Sequence, residues 1–156
     1  MNDIFATLAR DKFQFLETLH GCQIIDVEKS NYGCIVWYKN SSVAIRVSYE
    51  IYDDGIFVTI YRLRDDGQIP EHPIFFDPSA AFLTFDLNDL IRVRGGERLS
   101  KGSESMYDRA ALAKTVEEYA NALKSHASDV IDGDFSILPQ IKEIVARRAK
   151  ELENER

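Results

Sequence analysis

The stretch SVAIRVSYEIYDDGIFVTIYRLR, Ser42 to Arg64, constrains the fold more than any other part of the chain. Val43, Ile45, Val47, Tyr49 and Ile51 alternate with Arg46, Ser48 and Glu50. A period of two with one apolar face is the pattern of a half-buried antiparallel strand. Asp54-Gly55 then separates it from a second apolar run, which is a strong hairpin signal. A two-residue turn there pairs Ile51 with Val58 and Tyr49 with Ile60. A three-residue turn with Gly55 as a bulge would swap the faces of the second strand, and the two-residue turn is preferred. Either register leaves large apolar groups on both faces. The second face is therefore expected to be covered, with residues 74–93 as the cover. The alternative is an exposed aromatic row beside carboxylates, which would be an interface.

The flanking sequence extends this hairpin into a meander. CQIIDVEK and GCIVWYK precede it, separated by the turn residues SNY and NS. Residues 3–20 have Ile4, Phe5, Leu8, Phe13, Leu16 and Leu19 at three- and four-residue steps, the spacing of a helix. Asn2 or Asp3 can cap its start, and Gly21 supplies its stop. After Asp66-Gly67, the segment QIPEHPIFFDPS contains three prolines, so Ile74–Phe76 is at best a short edge strand. AFLTFDLNDLIRVRGG predicts a short strand or a short helix with Leu87, Leu90 and Ile91 inward, followed by the polar loop RGGERLSKGSES. Asp108 caps a long helix striped by Leu112, Val116, Tyr119, Leu123 and Val130, with Gly133 ending it. A last helix carries Leu138, Ile141, Val145 and Leu152, with a frayed tail from about residue 150. The expected architecture is a single α+β domain over 1–156. It has an N-terminal helix, a four-stranded antiparallel meander with an irregular edge region, and two C-terminal helices packed on the sheet.

Several chemistries are excluded or disfavoured. No stretch has the roughly 18 consecutive apolar residues of a membrane span. The acidic, interrupted start MNDIFATLARDKF does not have the form of a signal peptide, and cytoplasmic residence is the expectation. The two cysteines, Cys22 and Cys34, are expected to be free. In the hairpin around Ser30–Gly33, Lys29 faces Cys34, and Cys22 lies too far along its strand for a disulfide. The net charge of −7, from 26 acids and 19 bases, disfavours nucleic acid and suits a basic protein partner. His20, His72 and His126 form no HxH, HxxxH or HExxH pair, and the cysteines have no CxxC spacing, so no metal or other cofactor is expected. SDVIDGDFS, Ser128–Ser136, lacks the spacing of a calcium loop. There is no GxSxG or SxxK nucleophile motif. The one markedly basic stretch before the last helix, RVRGGERLSK, matches no phosphate-loop fingerprint.

What remains are carboxylates and aromatics. Asp53-Asp54 and Asp65-Asp66 sit at expected turns, where Asp before Gly serves the turn itself. If the two turns point the same way, four carboxylates gather at one sheet edge with Glu71 nearby. Trp37 and Tyr38 face opposite sides of their strand, and one of them would join Tyr52, Phe57 or Tyr61 on the second face. Asp53, Asp54, Asp65, Asp66, Glu71, Trp37 and Tyr61 are the candidate partner-binding residues. No catalytic residue is assigned.

The opening helix ending LHG, the meander closing on VSYEIYDDGIFVTIYRL and the final helix pair joined by GDFS resemble small uncharacterised bacterial proteins of the toxin-immunity kind. That resemblance implies an acidic, non-enzymatic binder that occludes a basic toxin domain, as a monomer or homodimer. Type III secretion chaperones share the small, acidic α+β character and imply an effector segment as partner, although four consecutive strands depart from their usual order. From another class, a small hydrolase or ligand-binding enzyme would place its site near His72, Arg92 and Arg94. A cleft joining those three to a carboxylate would favour the enzyme, and a flat acidic face with exposed Tyr61 or Trp37 the binder.

Overall fold

The computed structural model describes residues 1–99 and 108–155. Lys101 and the end of the expected polar loop fall outside the described residues. In chain order the elements are α1 (Asn2–Lys12), α2 (Phe15–His20), β1 (Gln23–Ser30), β2 (Gly33–Lys39), β3 (Val43–Glu50) and β4 (Gly55–Arg62). They are followed by β5 (Thr84–Asp86), α3 (Leu87–Val93), α4 (Arg109–Ile131) and α5 (Leu138–Asn154). The strands form one antiparallel sheet in sequential order, β1-β2-β3-β4-β5. The fold is α+β as expected, with five strands instead of four. Three residues of the segment read as strand or helix form β5, and the next seven form α3. Asp86 makes the change of period, because its side chain accepts from the Asn88 N–H at 2.8 Å and caps α3.

The β3–β4 hairpin keeps the expected faces but not the expected turn. Tyr49 pairs with Ile56, Val47 with Val58 and Ile45 with Ile60, closing at Glu50–Gly55. The loop is therefore Ile51–Asp54, four residues long. Asp54, not Gly55, takes the left-handed conformation at φ 43°, and its N–H donates to the Ile51 carbonyl at 3.2 Å. The pairing slips by an even number of residues, so Ile56, Val58 and Ile60 remain on the core face. β2 approaches β3 closely at the same end. Gly33 lies so close that a Cβ there would sit 1.9 Å from the Tyr49 carbonyl oxygen. Only glycine permits the β2–β3 approach that draws the tip of the meander together.

The helices cover one face. Phe5, Phe13, Leu16, Val36, Tyr38, Ile45, Val58, Leu112, Val116, Leu123 and Ile141 are fully buried in a single cluster. Burying each large aliphatic or Phe side chain contributes about 1.5–3 kcal/mol before entropy is subtracted. α1 and α4 pack together, α1 lies on β2 and β3, and α4 lies on β4. α5 buries Leu138 and Ile141 and meets chiefly α3 rather than the sheet. The expected single helix over 3–20 is broken at Phe13–Gln14. Leu16 N–H donates to the Phe13 carbonyl at 3.0 Å, a tight turn that lets both Phe13 and Leu16 reach the core. Neither Asn2 nor Asp3 caps α1. Asn2 Nδ2 instead donates to the Ser30 carbonyl at 2.9 Å, and Asp3 pairs with Lys29 at 2.6 Å. Both contacts tie α1 to the β1–β2 turn.

The corner between α4 and α5 absorbs all three of its aspartates. Asp129 accepts two hydrogen bonds from Arg94, at 2.9 and 2.6 Å, and Arg94 also donates to the His126 carbonyl. Arg94 holds the Asp129 carboxyl below its usual range, chiefly through these bonds. It also offsets a negative charge at a helix carboxyl end, which alone costs about 0.3–1 kcal/mol. Asp132 contacts His20 Nδ1 at 2.7 Å. Gly133, at φ 103°, ends α4 while the Asp134 N–H returns to the Asp129 carbonyl at 2.9 Å. Asp134 then accepts from the Ser136 N–H at 3.0 Å. Beneath the corner, Asn40 Nδ2 donates to the His20 and Ile131 carbonyls, and its Oδ1 accepts from the Ser42 and Val43 N–H groups. One amide therefore satisfies the ends of two helices and the start of a strand.

Among the described residues no helix is long and apolar enough to cross a membrane. Cys22 and Cys34 are buried and free. Burial pushes the Cys22 thiol up to about 11, so it carries no reactive thiolate at neutral pH.

Candidate functional site

The face of the sheet away from the helices is covered only in part, and from a different segment than expected. Residues 74–93 were expected to lie over it. Ile74 and Phe75 are instead 97% and 78% exposed. The cover is formed by Ile69, Pro70 and His72, which follow the Asp66-Gly67 turn. Ala44, Tyr61 and Leu63 make a small second cluster there, with Trp37 and Ile69 against it. Tyr61 is 2% exposed. Its ring lies 5.4 Å from that of Trp37, and its hydroxyl is hydrogen-bonded to His72 Nδ1 at 2.8 Å. Burial raises the Tyr61 pKa and lowers that of His72. Tyr61 thus belongs to a packed cluster, while Trp37 is half-buried and donates to Glu28 Oε2 at 3.5 Å.

The two acidic turns do not point the same way. Asp53 and Asp54 lie at the β3–β4 end of β4, whereas Asp65 and Asp66 follow its other end. Eight residues of strand separate them, about 23 Å. Asp66 accepts from the Gln68 N–H at 3.0 Å and serves its turn. Glu71 is exposed on the strap that leads to Ile74. The suggested cluster of four carboxylates is not formed.

A different grouping does form, at the end where the β1–β2 and β3–β4 turns meet. The Ile51 N–H donates to the Tyr32 carbonyl at 2.9 Å, joining the two turns. Tyr32 and Tyr52, 68% and 80% exposed, project with ring centroids 5.7 Å apart. Behind them the open sheet face forms a depression of about 520 Å³. Glu28, Tyr32, Ile35, Tyr52 and Asp53 are among its lining residues, together with Arg46 and Glu50. Arg46 lies 3.9 Å from Glu50, and three carboxylates and one guanidinium line the depression. Asp53 makes no hydrogen bond or ion pair among the described residues. Of the residues picked from sequence, Asp53 and Asp54 stand at this tip and Trp37 stands next to Glu28 on its flank. Tyr32 was missed. Its signal was an aromatic residue in a turn, SNYG, where polar residues ordinarily suffice.

The residues of the enzyme alternative do not converge. His72 bonds Tyr61 on the open face, Arg94 is held by Asp129 at the end of α4, and Arg92 lies exposed on α3. Among the described residues, no group of three or more His, Cys, Asp or Glu side chains is placed to hold a metal ion. The tip offers exposed rings, carboxylates and an apolar floor. No known protein family, curated protein or solved structure matches this chain.

Proposed function

We propose that this chain is a non-enzymatic protein-binding module. It docks a basic protein domain on the tip formed by Tyr32, Tyr52 and Asp53, with Glu28 and Ile35 behind them. The observation that carries this reading is the exposed tyrosine pair beside Asp53 at the mouth of a 520 Å³ depression. Tyrosine supplies large contact area at low entropic cost, and Lys or Arg of a partner can lie on its ring face. The net charge of −7 steers a basic partner toward the molecule. An immunity-like role follows as the finer proposal: the module occludes a basic toxin domain by covering its surface.

NMR mapping tests this, with a basic protein domain that binds the chain as titrant. Amide shifts concentrated at Tyr32–Ile35 and Ile51–Asp53 support the reading. Shifts confined to the α4–α5 side remove it. One observation favours an effector-binding chaperone instead. Pro70, Phe76, Phe82 and Val145 line an apolar groove of about 610 Å³ beside exposed Ile74 and Phe75. Shifts confined to residues 70–84 would select that role.

A further inference from the structure

The basic stretch Arg92–Arg98 belongs to neither the tip nor the apolar groove, and it borders a cavity of its own. α3 supplies Asn88, Asp89 and Arg92, and the residues after it supply Gly96, Arg98 and Leu99. Phe57, Asp86, Tyr119 and Arg148 complete the walls of a space of about 310 Å³. That is the lower end of the range for small-molecule sites.

The charges in this cavity are unequally matched. Asp89 is 6% exposed and accepts two hydrogen bonds from Arg148, at 2.9 and 2.8 Å, so those two charges cancel. Asn88 Oδ1 accepts from the Leu99 N–H at 2.8 Å and fixes the wall. Asp86 accepts from the Asn88 N–H, and burial raises its pKa. Arg92 and Arg98 make no hydrogen bond or ion pair among the described residues. Two guanidiniums with no hydrogen bond or ion pair among the described residues thus flank a small cavity in a protein whose net charge is −7. Phe57 and Tyr119 give the same cavity aromatic walls.

We infer that this cavity binds a small organic anion, a phosphate monoester or carboxylate attached to a ring. Arg92 and Arg98 hold the anionic group, and the ring packs between Phe57 and Tyr119. Guanidinium is the side chain suited to planar, two-point recognition of either anion. The site stands independently of the protein-binding tip, on the other side of β4.

Calorimetric titration of the full chain at low chloride tests it. The probes are phenyl phosphate, benzoate and inorganic phosphate, with benzyl alcohol as the neutral control. Phenyl phosphate or benzoate is expected to bind more tightly than inorganic phosphate, and benzyl alcohol not at all. The pair of ring anions also identifies the preferred head group. Arg92→Gln together with Arg98→Gln is expected to weaken binding at least about tenfold. Asp86→Asn, which keeps the capping oxygen and removes the opposing charge, is expected to strengthen it. Arg64→Gln, a surface change elsewhere, should leave affinity unaltered. Lack of binding by both ring anions overturns the inference, as does undiminished affinity in the double variant.

Discussion

The corner Ser128–Ser136 and the tip of the sheet both carry close-set aspartates, and in the sequence they look alike. In the fold they are opposites. At the corner Asp129 has Arg94, Asp132 has His20, and Asp134 has the Ser136 amide. Each carboxylate is used internally, and together they lock α4 to the segments around it. At the tip Asp53 has no such partner among the described residues, and the rings beside it, Tyr32 and Tyr52, face solvent. The difference teaches that acidic density says little about docking. Whether a cation or amide from elsewhere in the chain arrives beside the carboxylate decides its role.

The comparison can be broken first at the corner. Asn40 satisfies two helix-end carbonyls and two strand amides at once. Asn40→Ala is expected to cost about 2–4 kcal/mol, measured by urea unfolding, because several backbone groups lose their partner together. A loss below about 1 kcal/mol would show that water replaces these bonds and that the corner is less coupled than described.

A smaller effect is expected from Arg94 and Asp129. A double-mutant cycle with Arg94→Gln and Asp129→Asn should return a coupling of about 1 kcal/mol, because the pair is bidentate but partly exposed. The acid limb of stability sharpens this. The folded Asp129 carboxyl titrates below its unfolded value of 3.8. Its contribution is therefore complete above that value and is lost as pH falls through the folded pKa. Asp129→Asn should flatten the stability profile below about pH 4. Burial of Asp86 acts in the opposite sense: its folded pKa is raised, so its contribution is largest at acid pH and falls as pH rises through the folded value. An unchanged acid limb in Asp129→Asn would mean that the pair does not persist in solution.

The smallest stability effect belongs to the tip. Tyr32→Ala and Tyr52→Ala remove exposed rings, and their joint cost should stay within about 0.5 kcal/mol per residue. Thermal unfolding checks this. A larger loss would make the tyrosine pair a structural clasp for the two turns, closer in kind to the corner.

Much of the fold was legible because alternation and helical period are local. The core faces of β3 and β4, the buried Leu87, Leu90 and Ile91, and the free cysteines follow from spacing alone. The register of the β3–β4 hairpin did not, because Asp54 takes the left-handed turn position ahead of Gly55. The break at Phe13 was hidden because a kinked helix keeps its apolar spacing. The site was less legible than the fold. Consecutive turns of a meander alternate between ends of the sheet, which separates Asp53 from Asp65 and brings Tyr32 to Tyr52. The partners of Asp129 and Asp132 lie far away in sequence, at Arg94 and His20.

The central claim is that the tip, and not the corner, recognises a basic protein. Its most direct test is the affinity of the Tyr32→Ala, Tyr52→Ala double variant for a basic protein domain that the unaltered chain binds, with Asp129→Asn in parallel. The account predicts at least about a tenfold loss for the tyrosine variant, with its melting temperature kept, and no loss for Asp129→Asn. Equal affinity of the tyrosine variant and the unaltered protein would contradict it.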